Sequence, residues 1–170
     1  MEPAQALAST AEIAATIAGF TGIVVVFGQG SIHEWPLIHR FRLRLLLIFS
    51  VLPLVFSLLG LLVMAIGPAE QDRWKWCSGL AAALLLAGGL YAWRGFRAFA
   101  PRQFKAEGGG VAVFTLVALA GSATLVVEAW NAAALGAFWP FFLAIVLSMI
   151  SAIVQFVRLV LSRPLIPPAV

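Results

Sequence analysis

Charge is scarce in this chain. Only 11% of its 170 residues are charged while 62% are apolar, and the mean hydropathy is +1.03. Soluble domains carry roughly a quarter charged residues, so a chain this apolar cannot cover its surface with polar groups in water. Lipid is the expected solvent. There is one cysteine, Cys77, which excludes an intramolecular disulfide and any CxxC metal or redox site. Its simplest reading is a small residue tolerant of apolar surroundings. Catalytic patterns are missing as well: no Ser-His-Asp set, HExxH pair or GxSxG elbow can be assembled. Gly108-Gly109-Gly110 is not followed by Lys-Ser or Lys-Thr, so it reads as a loop and hinge, not a phosphate loop. No enzyme and no cofactor are expected. The length leaves room for a single transmembrane domain over residues 1–170.

What the chain does have is five long apolar runs. A spanning helix needs about 17–25 mainly apolar residues. The runs cover about 7–28, 43–66, 76–93, 111–131 and 138–161, the third being the shortest. Because backbone polar groups in hydrocarbon must be bonded within their own segment, these are helices; a barrel would need roughly ten-residue alternating strands. The expected fold is therefore an all-α polytopic bundle of five spans. Thr16, Thr21 and three glycines interrupt the first run, so four spans plus a re-entrant or interfacial first helix is the alternative. The N-terminus lacks the basic region of a signal peptide, so the first run is expected to belong to the working protein.

The net charge of +4 does not point to nucleic acid, because the basic residues sit at the ends of apolar runs. Arg40, Arg42, Arg44, Arg94, Arg97, Arg102, Lys105, Arg158 and Arg163 all fall on one side of a five-span arrangement, leaving only Arg73 and Lys75 on the other. Cytoplasmic loops carry the excess of Lys and Arg, which predicts the N-terminus outside and the C-terminus inside. The six tryptophans, Trp35, Trp74, Trp76, Trp93, Trp130 and Trp139, lie near predicted helix ends, as in an aromatic belt. The Arg40–Arg44 run with Arg94, Arg97, Arg102 and Lys105 forms a basic collar suited to anionic lipid headgroups.

Two carboxylates, Glu12 and Glu128, lie inside or at the edge of apolar runs, where ionisable groups are costly and usually face protein or water. At three-and-four spacing Glu12 shares a helix face with Thr16 and Gly19, and Glu128 shares one with Thr124 and Gly121. If the faces meet, Glu12, Thr16, Thr124 and Glu128 make an outward-facing cation or proton site. Otherwise each Glu reaches the interface or pairs with Arg73 or Lys75. Small residues four apart, Ala11, Ala15 and Gly19 beside Ala14, Ala18 and Gly22, permit close helix packing, within one bundle or between subunits. His33 and His39 are too far apart in sequence for a helical metal pair, and no metal is expected. Gln155, Ser148 and Ser151 are expected to bond across helices.

The stretch from Ala11 to Gly28 reads A-E-I-A, then A-G-F-T-G-I-V, then F-G. It resembles the first helix of a group of uncharacterised small bacterial multi-pass membrane proteins. The resemblance lies within roughly the first sixth of the chain and implies a bacterial inner-membrane setting without supplying an activity. Two functions suit these residues: a transport or channel-type protein with the acidic site, or a non-transporting scaffold or accessory subunit that docks a membrane-protein partner, or a second copy, through helix one.

Overall fold

The computed structural model describes residues 2–26, 37–67, 69–97 and 111–161. Among them are five helices and no strand: α1 (Pro3–Val26), α2 (Leu37–Ile66), α3 (Glu70–Arg97), α4 (Val111–Trp130) and α5 (Phe138–Leu161). A π-helical turn, Asn131–Leu135, extends α4. Each helix is long and apolar enough to cross a membrane. At 1.5 Å per residue, the 24 residues of α1 reach about 36 Å, so the first helix is of spanning length.

Successive helices run antiparallel. Leu7, Phe56, Trp74, Cys77 and Phe141 form a core cluster at one end, and Leu43, Leu46 and Leu159, with Ile17 against them, form another toward the opposite end. α2 is the centre of the bundle, packed on α1, α5 and α3, while α4 packs on α3 and α5. Much of the remaining surface is apolar and open, as Leu62 (60%), Leu116 (65%) and Val126 (68%) show. An apolar surface of this extent is stable only against lipid, so the protein is a multi-pass integral membrane bundle.

The helices differ from the apolar runs at their ends. α3 has 28 residues and is not the shortest, because the charged residues on both sides join it. Glu70 and Asp72 in its first turn and Arg94 and Arg97 in its last complement the helix dipole. α2 likewise takes in Arg40 and Arg42, which lie before the apolar run that begins at about 43, as well as Arg44. Arg42 is 1% exposed, so it does not belong to a headgroup-facing collar; Arg44, Arg94 and Arg97 are exposed, and Arg40 is half-buried. Arg102, Lys105, Arg163, Trp35, His33 and the three consecutive glycines lie outside the described residues. Trp76, Trp93, Trp130 and Trp139 are exposed near helix ends, whereas Trp74 is buried against Phe138 and Phe141, with ring centroids at 4.8 and 6.1 Å.

The two small-residue stripes of α1 have different fates. Ala14 is fully buried and Ala18 half-buried, toward the bundle, while Ala15, Gly19 and Gly22 are exposed and Ala11 half-buried. A close approach between helices uses a glycine on α2 instead. A Cβ at Gly60 would sit 2.7 Å from Leu7 Cδ1 and 3.0 Å from Phe141 Cε1, so the absence of a side chain there seats α1 and α5 together. Above it, Thr10 and Ser57 hydroxyls bond across α1 and α2 at 3.0 Å. Ser148 and Ser151 bond back to Ala144 and Leu147 of their own helix, contrary to the cross-helix role expected of them.

Gly60→Val should force Leu7 and Phe141 apart, at about 1–3 kcal/mol typical of an overpacked core. The expected outcome is a lowered melting temperature in detergent and faster proteolysis of α1. Unchanged melting would mean the α1–α2–α5 junction is not tightly packed.

Candidate functional site

Which face of α1 turns inward is decided by Leu7, Thr10, Ala14 and Thr21, all buried. At 100° per residue these cluster on one side of the helix, and Glu12 falls roughly opposite. Glu12 is accordingly exposed, as is Thr16, whose hydroxyl donates to the Glu12 carbonyl at 2.9 Å. α1 packs on α2 and α5, and α4 on α3 and α5, so the Glu12 and Glu128 faces are not brought together. The shared acidic pocket does not form, because helix order alone does not make the first and fourth helices neighbours.

The α4 face holds as expected and extends further. Thr124 and Glu128 are buried, and Asn131, three residues on, continues the same stripe. Thr124 Oγ1 donates to the Ala120 carbonyl at 2.8 Å, so its hydroxyl is used within its own helix. Glu128 is 0% exposed, and no protein group hydrogen-bonds either carboxylate oxygen. Pairing with Arg73 or Lys75 is therefore not made.

Facing Glu128 is the buried side of α3, carrying Trp74, Cys77, Ser78 and Ala81 at three-and-four spacing. The Ser78 hydroxyl is close enough to Glu128 to influence its charge, but the geometry falls short of a hydrogen bond. Cys77 lies within electrostatic reach of both Glu128 and Arg73. Trp74 Nε1, on the same face, also has no hydrogen-bond acceptor in the protein.

Asn131 holds this arrangement. Its Nδ2 donates to Ser78 Oγ at 2.7 Å and to the Ala137 carbonyl at 2.9 Å, and its Oδ1 accepts from the Ala137 amide at 2.9 Å. One amide thus ties α3 to the start of α5 through the end of α4. The tie needs the chain to turn within a few residues, which the π turn achieves: Gly136 adopts φ 61°, and its N–H donates to the Asn131 carbonyl at 3.0 Å. Since Asn131 occupies Ser78 Oγ as an acceptor, the Ser78 proton is available to point toward Glu128.

Asn131, Ser78 and Cys77 were not legible as a site. Asn131 was signalled only by its spacing from Glu128, while Ser78 reaches the cluster through tertiary packing of α3. No protein-family model matches the chain, and searches of curated proteins and of solved structures return no similar protein.

Asn131→Ala should leave Ser78 and both backbone groups of Ala137 without their partner. At about 1 kcal/mol per bond, a loss of roughly 2–3 kcal/mol is expected. Thermal unfolding in detergent beside Ser78→Ala, which removes one of the three bonds, should show the larger loss for Asn131→Ala; equal losses would contradict the clamp.

Proposed function

We propose that this is a transport-type protein of a bacterial inner membrane in which Glu128 binds a proton or small cation, with the N-terminus outside and the C-terminus cytoplasmic. The observation that carries the reading is a wholly buried carboxylate, inside a spanning helix, that no protein group hydrogen-bonds. Ionised groups in such positions are expensive and mark ion or proton pathways when they face the protein interior. Without a bonded partner the carboxylate needs a proton or a cation to offset its charge. Ser78, held in place by Asn131, supplies a hydroxyl beside it, and Cys77 a polarizable neighbour. Glu12 is not part of this site. The orientation rests on the segregation of basic residues, nine of which fall on one side by the order of the helices.

In liposomes holding purified protein, the wild type is expected to pass protons or a common monovalent cation. Glu128→Gln should abolish the flux while the fold is kept, and Glu12→Gln should leave it within about twofold, since exposed-site changes rarely exceed ±0.5 kcal/mol. Flux that survives Glu128→Gln would overturn the assignment.

A second reading has its own observation. α1 presents Glu12, Ala15, Thr16, Gly19 and Gly22 outward, and a Cβ at Gly19 or Gly22 would meet nothing within 4 Å. A carboxylate on a small-residue face is poorly suited to lipid and well suited to a partner helix. Under this scaffold reading, Gly19→Leu and Gly22→Leu should dissociate complexes on native gels, whereas Glu128→Gln should leave them intact. Complexes indifferent to both glycine changes would remove it.

A further inference from the structure

Between α3 and α4, with α2 as its floor, lies a cavity of about 510 Å³ that is open on one side. It is independent of the Glu128 cluster and lies toward the end of the bundle that carries Arg94 and Arg97. Its walls are Leu85–Phe96 of α3 and Phe114–Leu125 of α4, and α2 contributes Leu45, Ile48, Phe49 and Leu52. Apart from Thr115 and Ser122, every side chain lining it is apolar. The walls are pinned at both ends: Asn131 bonds Ser78 at one, and Phe96 stacks on Phe114 at 5.5 Å at the other. Between the pins Gly88, Gly89 and Gly121 keep the space open; a Cβ at Gly89 or Gly121 would meet nothing within 4 Å, and one at Gly88 only Ile48 Cγ2 at 4.0 Å.

We propose that this groove binds one acyl chain of an anionic phospholipid, whose headgroup is held by Arg94 and Arg97. The length argues for it. The lined stretch of α3, from Leu85 to Phe96, extends about 16 Å, close to the roughly 15 Å of one leaflet's hydrocarbon. The volume falls within the roughly 300–1,000 Å³ of pockets that enclose a small ligand. Charge decides the headgroup. On α3, Arg97 follows the lining residue Trp93 by four positions and Arg94 follows Leu90, at the edge of the lining, by four, so two exposed arginines stand beside this end of the groove and not within its lining. The described carboxylates, Glu2, Glu12, Glu70, Asp72 and Glu128, lie just before or in the N-terminal part of α1, at the start of α3 and at the end of α4, away from that end. Bidentate pairing of arginine with phosphate then fixes the lipid while its chain fills the groove.

The test uses liposomes of zwitterionic phospholipid doped with a photoreactive acyl-chain probe, carried either on phosphatidylglycerol or on phosphatidylcholine, with labelled residues mapped by mass spectrometry. The anionic probe is expected to label residues 85–96 and 114–125 in preference to other lipid-facing positions. From two basic residues at the strength usual near anionic surfaces, its advantage over the zwitterionic probe should be roughly 30-fold. Arg94→Gln with Arg97→Gln should remove that advantage but keep some labelling. Gly121→Leu, or Gly89→Leu should the first variant fold poorly, should lose groove labelling by both probes. Equal labelling of the wild type by the two probes overturns the proposal. So does labelling spread evenly around the bundle, or groove labelling unchanged in both glycine variants. Exclusion of both probes with cross-linking to a second copy would assign the groove to self-association and overturn it equally.

Discussion

In hydrocarbon, a helix gains little from exchanging lipid for another helix, because both offer apolar contact of similar quality. The bundle therefore depends on places where backbones come unusually close and on the few polar side chains that find each other across helices. Gly60 is one such place: α1 and α5 meet α2 where no side chain stands between Leu7 and Phe141. The Thr10–Ser57 bond joins α1 and α2 just beyond it. On the other side of the bundle, Asn131 joins α3, α4 and α5 with three bonds from one amide. Buried polar groups of this kind set register, since each fixes a rotation and a height that apolar packing leaves loose.

The Asn131 clamp has two consequences that are otherwise unrelated. It draws the buried face of α3 against the end of α4, which seals Glu128 away from lipid and sets Ser78 beside it. It also fixes where α3 and α4 are joined, so that between this join and the Phe96–Phe114 stack the glycines leave a groove. A polar site toward one end and an apolar recess toward the other are thus features of the same helix pair. The first is a carboxylate without a hydrogen-bonding partner, and the second an apolar slot with arginines beside it.

Charge is divided along the bundle in the same sense. Antiparallel packing of consecutive helices gathers the described carboxylates toward one end and, apart from Arg73 and Lys75, the described basic residues toward the other. Arg42 shows that this division is not simply a surface property, since it is buried within α2. Long basic side chains covering their own apolar stems explain how α2 and α3 take in residues that a hydropathy reading leaves in loops.

The sequence by itself determined the helical class, the five long apolar segments and the end at which each described basic residue lies. These depend on segment length and on the requirement that backbone groups in lipid be bonded locally, which any 20-residue apolar run already contains. It also determined that Thr124 and Glu128 share a face, because helical spacing is a local property. Only the tertiary structure decided that Glu128 is buried and Glu12 exposed, that Ser78 and Asn131 complete the cluster, that Trp74 leaves the aromatic belt for the core, and that α3 and α4 enclose a groove. Each of these depends on which helices become neighbours and how each is rotated about its axis. In a chain whose helices are apolar nearly all round, no amphipathic face announces the inward side, so rotation is fixed by a few glycines and hydrogen bonds whose partners lie tens of residues away.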